Sequence, residues 1–533
     1  MPFLPRPIRS GPVRGLVLAC LAMVPSPARA QGDMLVVLRG PDTIAVEQFR
    51  RTPGRLDIEL VDRSSKARFS MALTLTPTAH VTRLENQYRR ADAAPDTRPL
   101  QAAVLLFAGD SVIAEITSQD GATRTQRLGT RAGAIPYVNP SFAILELAVA
   151  RLQQSALDSL RLPVFMVAGG STLSTVIRRT AADSVVFSFA PGLDARLAVD
   201  RDGRILGGSI PAQGLTIVRG VANRAALFVP PPDYSAPAGA PYAAEEVTVP
   251  TPMGHTLAGT LTLPRGAGPF PAIVTITGSG SQERDEEIPM VKGYRPFRQI
   301  ADTLGRMGIA VLRMDDRGAG KSGGNARTAT SEDFARDIEA GVAYLRGRKE
   351  IDGRRIGLVG HSEGGLIAPM VAVKDPTLRA IVLMAGPAQT GRTILDFQNR
   401  YAIEHSPGIA AEARDSAMAA ARQQVDSMAA SNPWVKYFLD YDPLATARKV
   451  RVPTLILQGA TDQQVTAVQA EALGEAIRSG GNRNVTVRVF PETNHLFILD
   501  PSGNPSGYSA LGTGQIRPEV IAALTEWLAR TLR

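Results

Sequence analysis

Gly360-His361-Ser362-Glu363-Gly364 constrains this 533-residue chain more than any other stretch. It follows an apolar run, Ile356-Gly357-Leu358-Val359, and opens a helical pattern beginning at Leu366. A strand that turns into a helix within so few residues leaves no room for side chains beside the turn. Glycines two before and two after Ser362 supply that room, and the turn lifts the serine hydroxyl above the sheet. The pentapeptide alone is a weak signal, so its weight depends on partners elsewhere in the chain.

A serine hydroxyl needs a base. The chain has five histidines, which makes the search short. His80 and His255 lie upstream, and His405 sits in a charged helical segment. His361 neighbours the serine, and strand alternation is expected to turn it to the other face. His495 remains. It lies after the alternating segment Val485–Phe490, in a loop at a strand's C-terminal end. A carboxylate to orient the ring is expected after another strand, and Asp462 follows the apolar run Thr454-Leu455-Ile456-Leu457. Glu492 and Asp500 compete, but each is close to His495 along its own loop. The chain order Ser362, Asp462, His495 is one of three known orders for this triad and differs from those of chymotrypsin and subtilisin. Two backbone donors should complete the site. The amide of Glu363 follows the nucleophile, and the loop Gly278-Ser279-Gly280-Ser281 follows the strand Pro271–Thr277. Ser279 is the expected second donor, with Gly278 in reserve.

These segments, together with Gln282-Glu283-Arg284-Asp285-Glu286, Arg313-Met314-Asp315-Asp316-Arg317-Gly318 and Asp440-Tyr441-Asp442-Pro443, occur in an order that resembles the α/β-hydrolase superfamily. Within it, the chain is most similar to bacterial carboxylesterases and serine-aminopeptidase-like hydrolases. The resemblance covers about Glu245 to Arg533. It implies a doubly wound, mostly parallel sheet, a helical cap insert at about 387–450, and a serine hydrolase needing no cofactor and no metal. Trp434, Tyr437 and Phe438 of the cap become candidate pocket residues. One departure stands out: many relatives place His-Gly at the oxyanion loop, where this chain has Thr277-Gly278. Asp315 and Asp316 read as scaffold charges.

The first thirty residues read as an export leader. Arg6, Arg9 and Arg14 precede the apolar run Gly15–Val24, and Ala28-Arg29-Ala30 forms a small-x-small cleavage signal. Cleavage near Ala30 makes the mature protein exported, periplasmic or extracellular. Lipidation at Cys20 is disfavoured, because the apolar run continues past it. With the leader go the only cysteine and four arginines, which takes the formal charge from +9 to +5. Without cysteine there is no disulfide and no thiolate site. No basic tract with interleaved aromatics points to nucleic acid. No further apolar run reaches the roughly 20 residues that a membrane-spanning helix needs.

Residues 33–228 read as a mainly antiparallel β domain, a sheet or open barrel, with a helix from Ser141 to about Leu160. Its partner is not legible. A proline-rich linker at 229–243 separates it from the catalytic domain at 244–533. The expected reaction is ester hydrolysis through an acyl-enzyme on a small-molecule substrate. A peptidase, a thioesterase or acyltransferase, and a non-catalytic binding protein are the rivals. A peptidase recognising a free amine would need an acidic anchor, for which Glu286, Glu287 and Glu404 are candidates.

Overall fold

The computed structural model describes residues 32–533 apart from 95, 120, 191, 407, 408 and 513. The expected leader and Cys20 lie outside the described residues. The chain divides into two compact units, 1–229 and 230–533.

In the first unit, strands that follow one another in sequence lie side by side in a sheet of fifteen. Neighbours are antiparallel, except that Ile135–Tyr137 runs parallel to Ser159–Met166. The first strand, Asp33–Arg39, pairs on one side with Asp42–Thr52 and on the other with the last, Leu215–Val221. One helix, Phe142–Gln154, packs into the core of this unit, and every residue from Phe142 to Leu152 is buried. A helix apolar on nearly all sides must be enclosed rather than laid on a surface. It ends earlier than the expected Leu160, because the Ser155 amide and hydroxyl both turn back onto the Leu152 carbonyl. Residues 159–166 then extend into a strand paired with Ser171–Ala181.

The second unit carries an eight-stranded sheet. Its strands are β1 (Tyr242–Pro250), β2 (Thr256–Pro264), β3 (Phe270–Ile276), β4 (Ala310–Met314), β5 (Ile351–His361), β6 (Ala380–Met384), β7 (Thr454–Gly459) and β8 (Val485–Phe490). The spatial order is β1-β2-β4-β3-β5-β6-β7-β8. β1 and β2 form an antiparallel hairpin, β2 meets β4 antiparallel, and the other pairs are parallel. Alternate residues feed two cores. Val274, Leu358 and Ile381 face one layer, while Ile273, Val359 and Val382 face the other. Helices Ser331–Arg346, Glu363–Lys374 and Val468–Ser479 cover the first, and Pro296–Arg306 and Pro518–Thr531 cover the second. Central parallel strands buried on both faces read as apolar runs, as they do here.

The proline-rich stretch is fastened to the second unit. The Tyr234 hydroxyl donates to Glu283 at 2.8 Å, and the Arg284 guanidinium lies 4.2 Å from the Tyr234 ring centre. Its last residues, from Tyr242, already belong to β1. Between β6 and β7 the cap insert supplies helices Gly391–Glu404, Arg414–Ser431, Pro433–Asp440 and Pro443–Ala447. No helix among the described residues is long and apolar enough to cross a membrane.

Candidate active site

The parallel strands deliver the site at their C-terminal ends, where ligands bind in open α/β sheets. β5 ends at His361, and the helix Glu363–Lys374 starts immediately after Ser362. Ser362 sits at φ 54°, ψ −116°, a conformation that costs a non-glycine residue on the order of 1–3 kcal/mol. Its amide donates to the Met384 carbonyl at 2.8 Å, which ties the turn to β6. The flanking glycines are obligatory on steric grounds. A Cβ on Gly360 would come within 2.1 Å of the Gly364 carbonyl oxygen, and one on Gly364 within 2.1 Å of that of Ile276.

His495 Nδ1 and Asp462 Oδ2 are 2.7 Å apart, and both residues are buried. The Asp462 carboxylate also accepts from the amides of Gln464 (2.7 Å) and Val465 (2.9 Å) and from Gln458 Nε2 (2.9 Å). Three donors besides the ring fix it as an acceptor facing Nδ1, so Nε2 of His495 is left for another proton. Ser362 and His495 line the same cavity of about 310 Å³. Among the described residues no hydrogen bond joins Ser362 Oγ to the ring, and such bonds commonly tighten only once substrate is bound. The competing carboxylates are engaged elsewhere or exposed: Asp500 takes Asn494 Nδ2 at 3.2 Å, and Glu492 faces solvent.

Ser279 and Glu363 line the cavity too, and among the described residues neither amide N–H has a hydrogen-bond partner. Gly278, the reserve donor, does not share that freedom. Its N–H donates to Glu286 Oε1 at 2.8 Å. The carboxylate that takes it stands eight residues away, beyond the reach of any local pattern. Thr277 braces the loop through Asp316. Its hydroxyl reaches both Asp316 oxygens (2.9 and 2.8 Å), and Asp316 also accepts the Gln282 amide at 2.9 Å. Burial pushes the Asp316 carboxyl up, against those hydrogen bonds. Asp315 grips the fully buried Arg284 through two nitrogens. Both aspartates are engaged in bonds within the scaffold.

The cap closes one side. Trp434 and Phe438 line the cavity with their rings stacked at 5.4 Å. Tyr437, grouped with them from sequence, is absent from the lining and stacks on Tyr441 instead. At 3.6 residues per turn each residue is turned about 100° from the one before it, so Tyr437 points well aside from its neighbour Phe438. Trp434 Nε1 donates to Glu363 Oε1 at 2.8 Å, and the Ser331 hydroxyl donates to the same oxygen at 2.6 Å. Burial pushes the Glu363 carboxyl up, while Ser331, Trp434 and Ser279 pull it down. A carboxyl tending to neutrality opposes negative charge at its own amide less than a free carboxylate would.

The sheet order, the serine turn and the cap follow one architecture. The family model described as serine aminopeptidase, S33, matches residues 290–502. The C-terminal unit has the α/β-hydrolase fold. The chain is 27% identical over 346 residues to esterase EstD of Thermotoga maritima, a match spanning 63% of this chain and 77% of that protein. Among solved structures, esterase Pf2001 of Pyrococcus furiosus is similar (TM-score 0.40, 18% identity, 57% of this chain and 97% of that one). So is Est1E of Butyrivibrio proteoclasticus with ferulic acid bound (TM-score 0.35, 18% identity, 53% and 96%). Among the described residues, no group of three His, Cys, Asp or Glu is arranged to hold a metal ion.

His361, which sequence reasoning set aside, comes to the same site. It is buried, lines the cavity, and lies with its ring centre 5.0 Å from that of His495. As the last residue of β5 it stands where the chain leaves the pleat, so alternation no longer predicts its face.

Proposed function

We propose that this protein hydrolyses carboxylic esters through an acyl-enzyme on Ser362. The observation that carries the reading is the 2.7 Å pairing of Asp462 with His495, which lines one cavity with Ser362. Ser362 Oγ attacks the ester carbonyl as His495 Nε2 takes its proton. The ring stays oriented because Nδ1–H donates to Asp462. The amides of Glu363 and Ser279 receive the oxyanion. His495 then protonates the departing alcohol, and a water molecule repeats the sequence to release the acid.

The cavity favours an ester over a peptide with a free amine. Of the candidate acidic anchors, Glu286 is buried and bonded to Gly278 and His361. Glu287 pairs with Arg295 at 3.2 Å, and Glu404, on the cap, is outside the lining. The remaining wall is mainly apolar, with Ile288, Ile394, Leu395 and Leu496 beside Trp434 and Phe438. A neutral acyl group fits such a wall, and an ammonium would lose its hydration there without a partner. Export, with cleavage near Ala30, belongs to the same reading on the strength of the leader pattern.

A panel of p-nitrophenyl esters from acetate to palmitate, run beside aminoacyl-anilides, tests the reaction. Esters should turn over and anilides should not. Faster hydrolysis of the anilides would reverse the ranking. A fluorophosphonate probe should label the wild-type protein and not S362A.

A further inference from the structure

His361 makes two hydrogen bonds whose chemistry restricts its protonation. Nε2 lies 3.0 Å from the carbonyl oxygen of His495. A carbonyl only accepts, so this nitrogen carries hydrogen. Nδ1 lies 2.8 Å from Glu286 Oε1, an oxygen that also accepts the Gly278 amide at 2.8 Å. A carboxylate oxygen that takes one N–H has a lone pair left for a second, which a protonated Nδ1 supplies. Three segments are thereby tied at one point: the oxyanion loop through Gly278, the nucleophile strand through His361, and the base loop through the His495 backbone. Glu286 is buried and holds φ 57°, a strained backbone for a glutamate.

Resting on the esterase reading above, we propose that His361 is a positioning residue held as an imidazolium between Glu286 and the His495 carbonyl. It clamps the oxyanion loop and the base loop onto the serine turn. It touches no reacting atom and acts through His495 and Gly278. The charged groups facing it are Glu286 from the loop after β3, Asp462 from the loop after β7, and the His495 ring after β8. Nearby, Tyr294 donates its hydroxyl to the Leu496 carbonyl at 2.7 Å, and burial pushes that hydroxyl up, so it stays neutral. Phe497 closes the remaining side at 6.1 Å between ring centres.

Burial works against charge on His361, and the Glu286 carboxylate outweighs it, which leaves its pKa above a histidine's ordinary value. The charged form is therefore present at lower pH and is lost as pH rises through that value. A neutral ring keeps one hydrogen, so one of the two bonds must fail. The consequence is a fall in kcat on the alkaline side.

Two measurements on the full chain test this. In S362A protein labelled with ¹⁵N-histidine, one buried ring should show both nitrogens protonated at pH 7, and its signals should be missing from the S362A/H361Q protein. A neutral His361 ring at that pH overturns the proposal, and this readout requires no turnover. In kinetics, H361Q should lower kcat about 10- to 100-fold, the scale of a small misplacement of reacting groups, with KM changed less than about threefold and the alkaline fall abolished. E286Q should do the same and serves if H361Q does not fold. Wild-type kcat and an unchanged alkaline fall in E286Q overturn the proposal. Failure of the esterase reading would show differently, as hydrolysis that survives in S362A.

Discussion

Each unit of this protein buries a glutamate against the start of a helix or loop, with different results. In the N-terminal unit Glu47 accepts the amides of Phe142 (2.9 Å) and Ala143 (2.8 Å) and the Ser141 hydroxyl, and so caps the enclosed helix. Further along that helix Glu146 pairs with Arg219 at 2.8 Å, and Arg151 donates to the carbonyls of Ala79 and Gly133. These buried charges hold a helix in place. In the C-terminal unit Glu286 accepts an amide and a histidine, and Glu363 accepts a serine and a tryptophan, but both line a cavity that Ser362 enters. Buried charge is common to both units. What separates fastening from chemistry is open space beside an unengaged donor or nucleophile, which Ser279, Glu363 and Ser362 supply.

The comparison can be broken most severely at the serine. S362A should lower ester hydrolysis by about 10⁴- to 10⁶-fold, measured as initial rates on a short-chain p-nitrophenyl ester. D462N comes next, at about 10⁴-fold in kcat, because an amide in place of Asp462 favours the wrong tautomer of His495 while preserving shape. W434F should cost about 10-fold in kcat/KM, since it leaves the buried Glu363 carboxyl with one donor fewer. The gentlest test lies in the other unit. Burial raises the Glu47 pKa to about 7, above the ordinary carboxylate value. The protonated form therefore favours the folded state. That contribution is complete below about pH 4.5 and is lost as pH rises through 7, by at most about 3 kcal/mol. E47Q should flatten the fall in melting temperature between pH 5 and pH 8 and leave kcat unchanged. A matching loss of esterase activity in E47Q would erase the distinction between the units.

Much of the C-terminal unit was legible in the chain. Apolar runs bounded by turn residues marked β3, β5 and β7, and glycine spacing marked the serine turn. Asp462 and His495 were found because each follows a strand that must end on the same side of a parallel sheet. The misreadings share a cause. Gly278 was a fair oxyanion donor until Glu286 folded back onto it, and nothing in the spacing of 278 and 286 announces that contact. His361 was dismissed by an alternation that ceases to hold at the strand's last residue. Tyr437 was grouped with Trp434 and Phe438 by composition, when helical geometry turns it aside. In the N-terminal unit the strands were visible singly, but their union into one sheet of fifteen depends on the pairing of Asp33–Arg39 with Leu215–Val221.

The order of Ser362, Asp462 and His495, and the glycines that permit the serine turn, are written in the chain, because they depend on local sterics and on strand polarity. Which amides remain free, which histidine pairs with Asp462 and which with Glu286, and which aromatics face the cavity were decided by packing. Those outcomes depend on hydrogen bonds between residues eight to well over a hundred positions apart, and a buried polar group takes whatever partner the fold brings within 3 Å.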